Sequence, residues 1–130
     1  EILRKKFICK NQIKKGLNGV RDAIEYIKND FSIALMIDQR VSEGEKINFY
    51  KKPALTTTLP AQLALKYKLS IIPVFIQRKS NSKFVLEFQN EIKSEDFHDK
   101  LELTQKLNEV LEKMVVRNPS QWIWTHNRWK

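Results

Sequence analysis

Glycine is scarce in this chain, three residues in 130. No G-x-G-x-x-G or G-x-x-x-x-G-K-[ST] pattern occurs, so a glycine-rich nucleotide loop is excluded as the organising feature. Cysteine is scarcer still. The single Cys9 rules out an intrachain disulfide and a cysteine zinc cluster, and it fits a reducing setting. Histidine occurs twice, at His98 and His126, with no H-E-x-x-H spacing to hold a metal. No segment supplies the run of about 18 apolar residues that spans a bilayer, and no signal peptide is visible.

What is abundant is positive charge. Twenty-four basic residues against 15 acidic ones give +9, which implies an anionic partner: nucleic acid, an anionic membrane surface, a phosphorylated glycolipid or an acidic carrier protein. The hydrophobic fraction of 42% is that of a folded domain, and the length suits one domain with a modest core. The chain begins in mid-pattern at Glu1-Ile2-Leu3-Arg4, so it is expected to be part of a longer protein.

Along the chain, residues 1–17 are basic with some apolar anchoring, reading as a helix end and a short strand before the Lys15-Gly16 turn. Asn18 is a credible N-cap for a helix carrying Val20, Ala23, Ile24 and Ile27. The apolar run at 33–37, IALMI, is too short for a helix and reads as a buried strand, with the polar Asp38-Gln39-Arg40 at its carboxyl end. A long polar loop follows, then Pro53 and the threonines 56–58, which open a helix over 59–68. Helix followed by a fully apolar strand predicts a sheet buried on both faces, and ligands in open α/β sheets collect beyond the carboxyl ends of strands. Residues 70–76 (SIIPVFI) read as a strand that Pro73 confines to an edge, a bulge or a strand start. The turn at 79–82 and the alternation over 83–88 predict an antiparallel partner, making the sheet mixed. Residues 99–117 form the clearest helix, with Leu101, Thr104, Leu107, Val110, Leu111, Met114 and Val115 on one face. The tail then places Trp122, Trp124, His126, Arg128 and Trp129 within eight residues.

Two of these segments carry a resemblance. MIDQR followed by NFYKKPALTTTLPAQLA, together with the terminal NPSQWIWTHNRWK, resembles the lipid A biosynthesis lauroyl/myristoyl acyltransferases of Gram-negative bacteria. That family has a D-Q or D-H turn, an F-F-G-x-x-A-x-T-x-T segment leading into an L-A helix, and a P-x-Q-Y/W-x-W-x-H-x-R-F/W-K ending. The resemblance implies an α/β fold with a mixed, largely parallel sheet flanked by helices, incomplete because residues 1–130 correspond to the C-terminal part of a single acyltransferase domain. The N-terminal membrane anchor and the catalytic motif are expected upstream.

The implied reaction moves a fatty acyl group from acyl carrier protein to a hydroxyl of an anionic lipid A precursor. It takes place at the cytoplasmic face of the inner membrane, with no cofactor, no metal and no nucleic-acid partner. An upstream histidine in H-x-x-x-x-D/E would take the proton from the hydroxyl. His98 does not start that motif, since Leu103 stands five places on, and His126 is too near the end. Neither dyad member is therefore expected in these residues, and the chain alone is expected to be inactive. The resemblance assigns the second wall of the site: Asp38 as an orienting acceptor, Gln39 and Arg40 beside it, Arg4 as an anion contact, Phe49 and Tyr50 along an acyl groove, and Thr56, Thr58, His126 and Arg128 toward substrate. Lys51-Lys52 stands where that family carries a glycine.

Each of these residues also has a plainer role. Asp38 can cap a turn, Thr56 and Thr58 can open the following helix, and the tryptophans can form either a core or an interfacial belt. Two other readings stay open at this point: a different glycerolipid-type acyltransferase, and a small basic nucleic-acid-binding domain that uses the same charge and aromatics.

Overall fold

A computed structural model describes residues 2–14, 16–125 and 127–129, and for Arg4 the backbone only. The chain divides into two compact units, Glu1–Leu35 and Met36–Lys130.

The first unit holds α1 (Ile2–Phe7) and α2 (Leu17–Lys28). Helix α2 starts from Gly16, whose φ of +95° an L side chain rarely adopts, so the N-cap lies two residues before the expected Asn18. Gly19 is in the first turn because the Lys14 backbone crosses there: a Cβ would sit 1.7 Å from the Lys14 carbonyl oxygen. Asn29 closes the helix, and Phe31 folds back to meet the Tyr26 ring edge-on at 5.5 Å. The strand anticipated at the end of residues 1–17 does not form; residues 9–14 are irregular.

The second unit contains β1 (Glu45–Phe49), β2 (Lys52–Thr56), α3 (Leu59–Tyr67), β3 (Ser70–Ile71), β4 (Val74–Arg78), β5 (Phe84–Phe88), β6 (Ile92–Lys93) and α4 (Lys100–Arg117), with single 3-10 turns at Ser94–Asp96 and Pro119–Gln121. Helix α4 organises it. Asp99 caps its start by accepting from the N–H groups of Leu101 and Glu102. Leu103 on its first half packs with Ala61 and Ala64 of α3, whose small side chains allow close approach. Leu111 and Val115 on its second half pack with Phe49 and Ala54 of the β1–β2 hairpin. The inward stripe thus runs through Leu103 and Asn108, while the expected Leu101 is exposed.

The elements are mixed helix and strand, as expected of an α/β chain, but no parallel pairing occurs among the described residues. The described strands make three separate two-stranded antiparallel ladders, β1–β2, β3–β6 and β4–β5. Parallel neighbours need a crossover of a dozen or more residues, whereas β1 and β2 are joined by two residues and β4 and β5 by five. The apolar run at 33–37 is irregular and makes no ladder among the described residues. Apolar composition marks a segment that would be stable when buried, but a strand exists only through its hydrogen-bonded neighbour. The expected hairpin forms with its first strand displaced: Pro73 breaks residues 70–76 into β3, which pairs with β6, and the start of β4, which pairs with β5 as the antiparallel partner that the alternation over 83–88 predicts.

The β1–β2 turn falls near the end of what the sequence presents as a long polar loop, and β1 lies within that loop. Tyr50 and Lys51 both have positive φ, +50° and +60°, the geometry of a two-residue turn that favours Asn-Gly. Lys51→Gly is therefore expected to stabilise the fold by roughly 0.5–1 kcal/mol, because a side chain in the left-handed region is strained. Urea denaturation checks this; a lower midpoint would mean that the Lys51 side chain contributes more than its backbone costs.

Candidate functional site

The second unit draws three distant segments onto one buried polar cluster. The first segment is the bend at Asp38. Its position is fixed by the loop behind it, where the Val41 N–H donates to the Leu55 carbonyl on β2 at 3.3 Å. Gly44 then passes so close to Thr56 that a Cβ would lie 2.6 Å from the Thr56 carbonyl oxygen. Only a residue without a side chain fits that crossing. The second segment is β2, which ends on Thr56, 2% exposed. The third is the tail, which returns Arg128 to the interior.

Arg128 is the centre. It is 1% exposed, and its guanidinium donates through Nη2 to Asn108 Oδ1 at 2.8 Å and to Thr56 Oγ1 at 3.3 Å. Through Nη1 it donates to the Asp38 main-chain carbonyl at 3.3 Å. Its charge lies 4.3 Å from the centroid of the Phe49 ring, a cation–π contact strengthened by exclusion of water. Burial pulls its pKa down from the usual arginine value, while the negative charges of Asp38 and Glu112 act against that shift. Among the described residues, Arg128 Nε and Asp38 Oδ1 are buried and take no hydrogen bond.

Asn108 spans the other side. Its Nδ2 donates to the Asn48 carbonyl at 2.9 Å and lies 3.5 Å from Thr56 Oγ1. Phe49, wholly buried, forms the floor: Tyr50, Trp129 and Trp122 stand around it with ring centroids at 4.8, 5.6 and 6.1 Å. The Trp129 indole N–H donates to the Phe49 carbonyl at 3.1 Å, fastening the tail to β1. Tyr50 clamps the hairpin turn onto α4. Its N–H donates to Glu112 Oε1 at 2.6 Å and its hydroxyl to the Glu112 carbonyl at 3.1 Å. Burial first, and the Glu112 charge second, raise its phenol pKa above the ordinary value.

On the outside, Tyr50, Lys52, Trp124 and Trp129 line a shallow depression of about 250 Å³. A second depression, of about 480 Å³, is lined by Tyr50, Glu109, Glu112, Lys113 and Val116. Tyr50 stands at the edge of both.

The residues expected at the site are distributed unevenly. Asp38, Thr56, Phe49, Tyr50 and Arg128 come together. Gln39 is exposed beside them, and Arg40 bonds Ser42 Oγ at 3.4 Å. Thr58, 7% exposed, is turned to α3 and accepts from Gln62 Nε2 at 2.7 Å; it occupies the N-cap position without capping a backbone N–H. Arg4 belongs to α1 in the other unit and its side chain is not described; His126 lies outside the described residues. Two members of the cluster are not among the residues the sequence singles out. Asn108 follows Leu107 and lies four residues from Thr104, so a polar residue inside the apolar stripe is the available signal. Glu112 reads as part of the solvated face, and nothing local marks it as the partner of Tyr50.

Comparison with known families supplies one match. The family model for bacterial lipid A biosynthesis acyltransferase matches residues 3–130. No curated protein matches the chain. The family match covers nearly the whole length, including all three segments that build the cluster. The chain belongs to the bacterial lipid A biosynthesis acyltransferase family.

Proposed function

We propose that this family member serves the transfer of a fatty acyl group from acyl carrier protein to a hydroxyl of an anionic lipid A precursor, at the cytoplasmic face of the inner membrane. In this reading residues 1–130 are the C-terminal part of the acyltransferase domain, and the histidine–acid dyad that deprotonates the hydroxyl lies upstream. One observation supports it above the others: Asp38 and Arg128, 90 positions apart and each in a segment of the family pattern, meet in one cluster. Arg128 and Asn108 hold the Asp38 backbone and Thr56, so the Asp38 carboxyl is presented from a rigid base. That is the positioning an orienting group needs, since a displacement of about 1 Å can cost 10²-fold in rate. The partly exposed Tyr50 and the adjacent tryptophans offer an apolar wall for an acyl chain, and the excess of basic residues suits both an acidic carrier protein and a phosphorylated acceptor.

The test is acyl transfer by the whole gene product, followed by mass spectrometry with acyl carrier protein as donor carrier and a lipid A precursor as acceptor. Asp38→Asn is expected to lower kcat/KM by roughly 100-fold, as loss of one preorganised polar group does, with the folded state retained. The 130-residue chain alone is expected to give no product. Unchanged transfer by the Asp38→Asn enzyme would remove Asp38 from the site, and transfer by the short chain alone would overturn the upstream placement of the dyad.

A further inference from the structure

Asn108 brings an amide into the buried cluster, and both halves of it are committed. Its Nδ2 donates to the Asn48 carbonyl on β1 at 2.9 Å, and its Oδ1 accepts from Arg128 Nη2 at 2.8 Å. A carbonyl on one side and a guanidinium on the other fix which way the amide faces. Thr56 is set in the same manner: its hydroxyl donates to the Ala54 carbonyl at 3.1 Å, so its lone pairs are left for Arg128. Asn108 is 1% exposed and all these partners lie within the second unit, so the arrangement stands on these residues themselves.

The nearest alternatives to this amide do not fit. A carboxylate of the same shape has no N–H for the Asn48 carbonyl. An apolar side chain would leave both that carbonyl and Arg128 short of a partner. The charge on Arg128 is the second point. Arginine is rarely buried this fully without a charged partner in contact, yet its acceptors here are an amide oxygen, a hydroxyl and a main-chain carbonyl, all uncharged. None of these contacts takes up the charge. The negative charges that act on it are those of Asp38 and Glu112, and Asp38 sits on the bend whose carbonyl the same guanidinium holds.

We propose that Asn108 is a positioning residue for acyl transfer, an uncharged acceptor that aims the Arg128 fork at the Asp38 bend and leaves the guanidinium charge to act on the Asp38 carboxylate. This role rests on the reading that Asp38 orients a substrate group. It adds what sets the place and the electrostatic surroundings of that carboxylate: a buried side chain from the middle of α4 that meets no substrate. A carboxylate at position 108 would pair with Arg128 directly. Attraction between opposite charges is strongest at contact, so the new pair would take up the charge that Asp38 otherwise meets.

Asn108→Asp and Asn108→Ala in the whole gene product test this, with kcat and KM measured for the acyl carrier protein donor. Asn108→Asp keeps the acceptor and the volume but adds a charge. It is expected to lower kcat roughly 10- to 100-fold with KM unchanged, because no binding surface is touched. In an Asp38→Asn background the same substitution is expected to cost nothing further, as for two residues that act through one interaction. Equal losses in both backgrounds, a loss carried by KM, or a parent kcat in Asn108→Asp would overturn the proposal. Hydrogen exchange at the Val41 amide, bonded to the Leu55 carbonyl just behind the bend, gives a readout that needs no substrate. Asn108→Ala is expected to speed that exchange roughly 10-fold while the amides of α3 keep theirs. Unchanged exchange would overturn the positioning role, even were Asn108→Asp too unstable to assay. A parent protein that transfers no acyl group would overturn the acyl-transfer reading, and the exchange would then decide by itself whether Asn108 places the bend.

Discussion

Arg128→Lys is expected to unfold the larger unit almost as readily as Arg128→Ala, each losing about 3–5 kcal/mol in urea denaturation, as removal of one partner from a buried charged network does. The lysine keeps the charge but not the fork. Arg128 reaches Asn108 and Thr56 with one terminal nitrogen and the Asp38 carbonyl with the other. An ammonium is a single compact group that cannot span those acceptors, and it is more strongly hydrated. It would leave acceptors on two elements unpaired in a site closed to water, each costing about 1–3 kcal/mol. Arg128→Met, which removes the buried charge and keeps most of the volume, should be the mildest of the three. If lysine substituted with a loss below about 1 kcal/mol, packing alone would hold the cluster and the forked hydrogen bonds would contribute little.

Phe49→Ala is expected to cost a further comparable amount, about 3–5 kcal/mol, the range for emptying an aromatic site in a core. The ring is wholly buried and is the surface on which Tyr50, Trp122, Trp129 and the Arg128 guanidinium rest. Its removal leaves a cavity lined by large, rigid rings that collapse poorly. Because Trp122 and Trp129 report on the ring directly, a red shift in tryptophan emission should accompany the lower urea midpoint. Phe49 and Arg128 are in contact, so their effects should not add; a double-mutant cycle is expected to give a coupling of about 0.5–3 kcal/mol. Full additivity, or a Phe49→Ala loss near 1 kcal/mol, would show that the ring is not the floor of the cluster.

Much of the fold is legible in the sequence. The α4 helix is marked by an apolar stripe about four turns long and ended by Asn118-Pro119, and the β4–β5 hairpin by an apolar run, a polar turn and an alternating second strand. Both are local signals; α4 forms where expected, and the hairpin forms with its first strand displaced from residues 70–76 to Val74–Arg78. The family is legible as well, because two unusual segments occur in the right order. The β1–β2 hairpin is not. Its turn residues, Tyr50-Lys51, lack the Asn-Gly signature, and the left-handed backbone is enforced from outside by two Tyr50 bonds to Glu112. The run at 33–37 fails in the opposite direction: its composition is that of a buried strand, but no described segment pairs with it.

Phe49 and Arg128 draw the line between the two kinds of information. Their types and their places in the family pattern can be read directly. That Phe49 is a buried floor and Arg128 a buried tie depends on contacts across 60 to 90 positions. The sequence by itself determined the basic character, the two long local elements and the family, since charge, periodicity and motif order are properties of neighbouring residues. The tertiary structure alone decided the β1–β2 and β3–β6 ladders, the clamp of Tyr50 on α4 and the convergence on Arg128. Strand pairing and burial of a charge are settled by which distant groups supply the missing hydrogen bonds, and no local pattern encodes that choice.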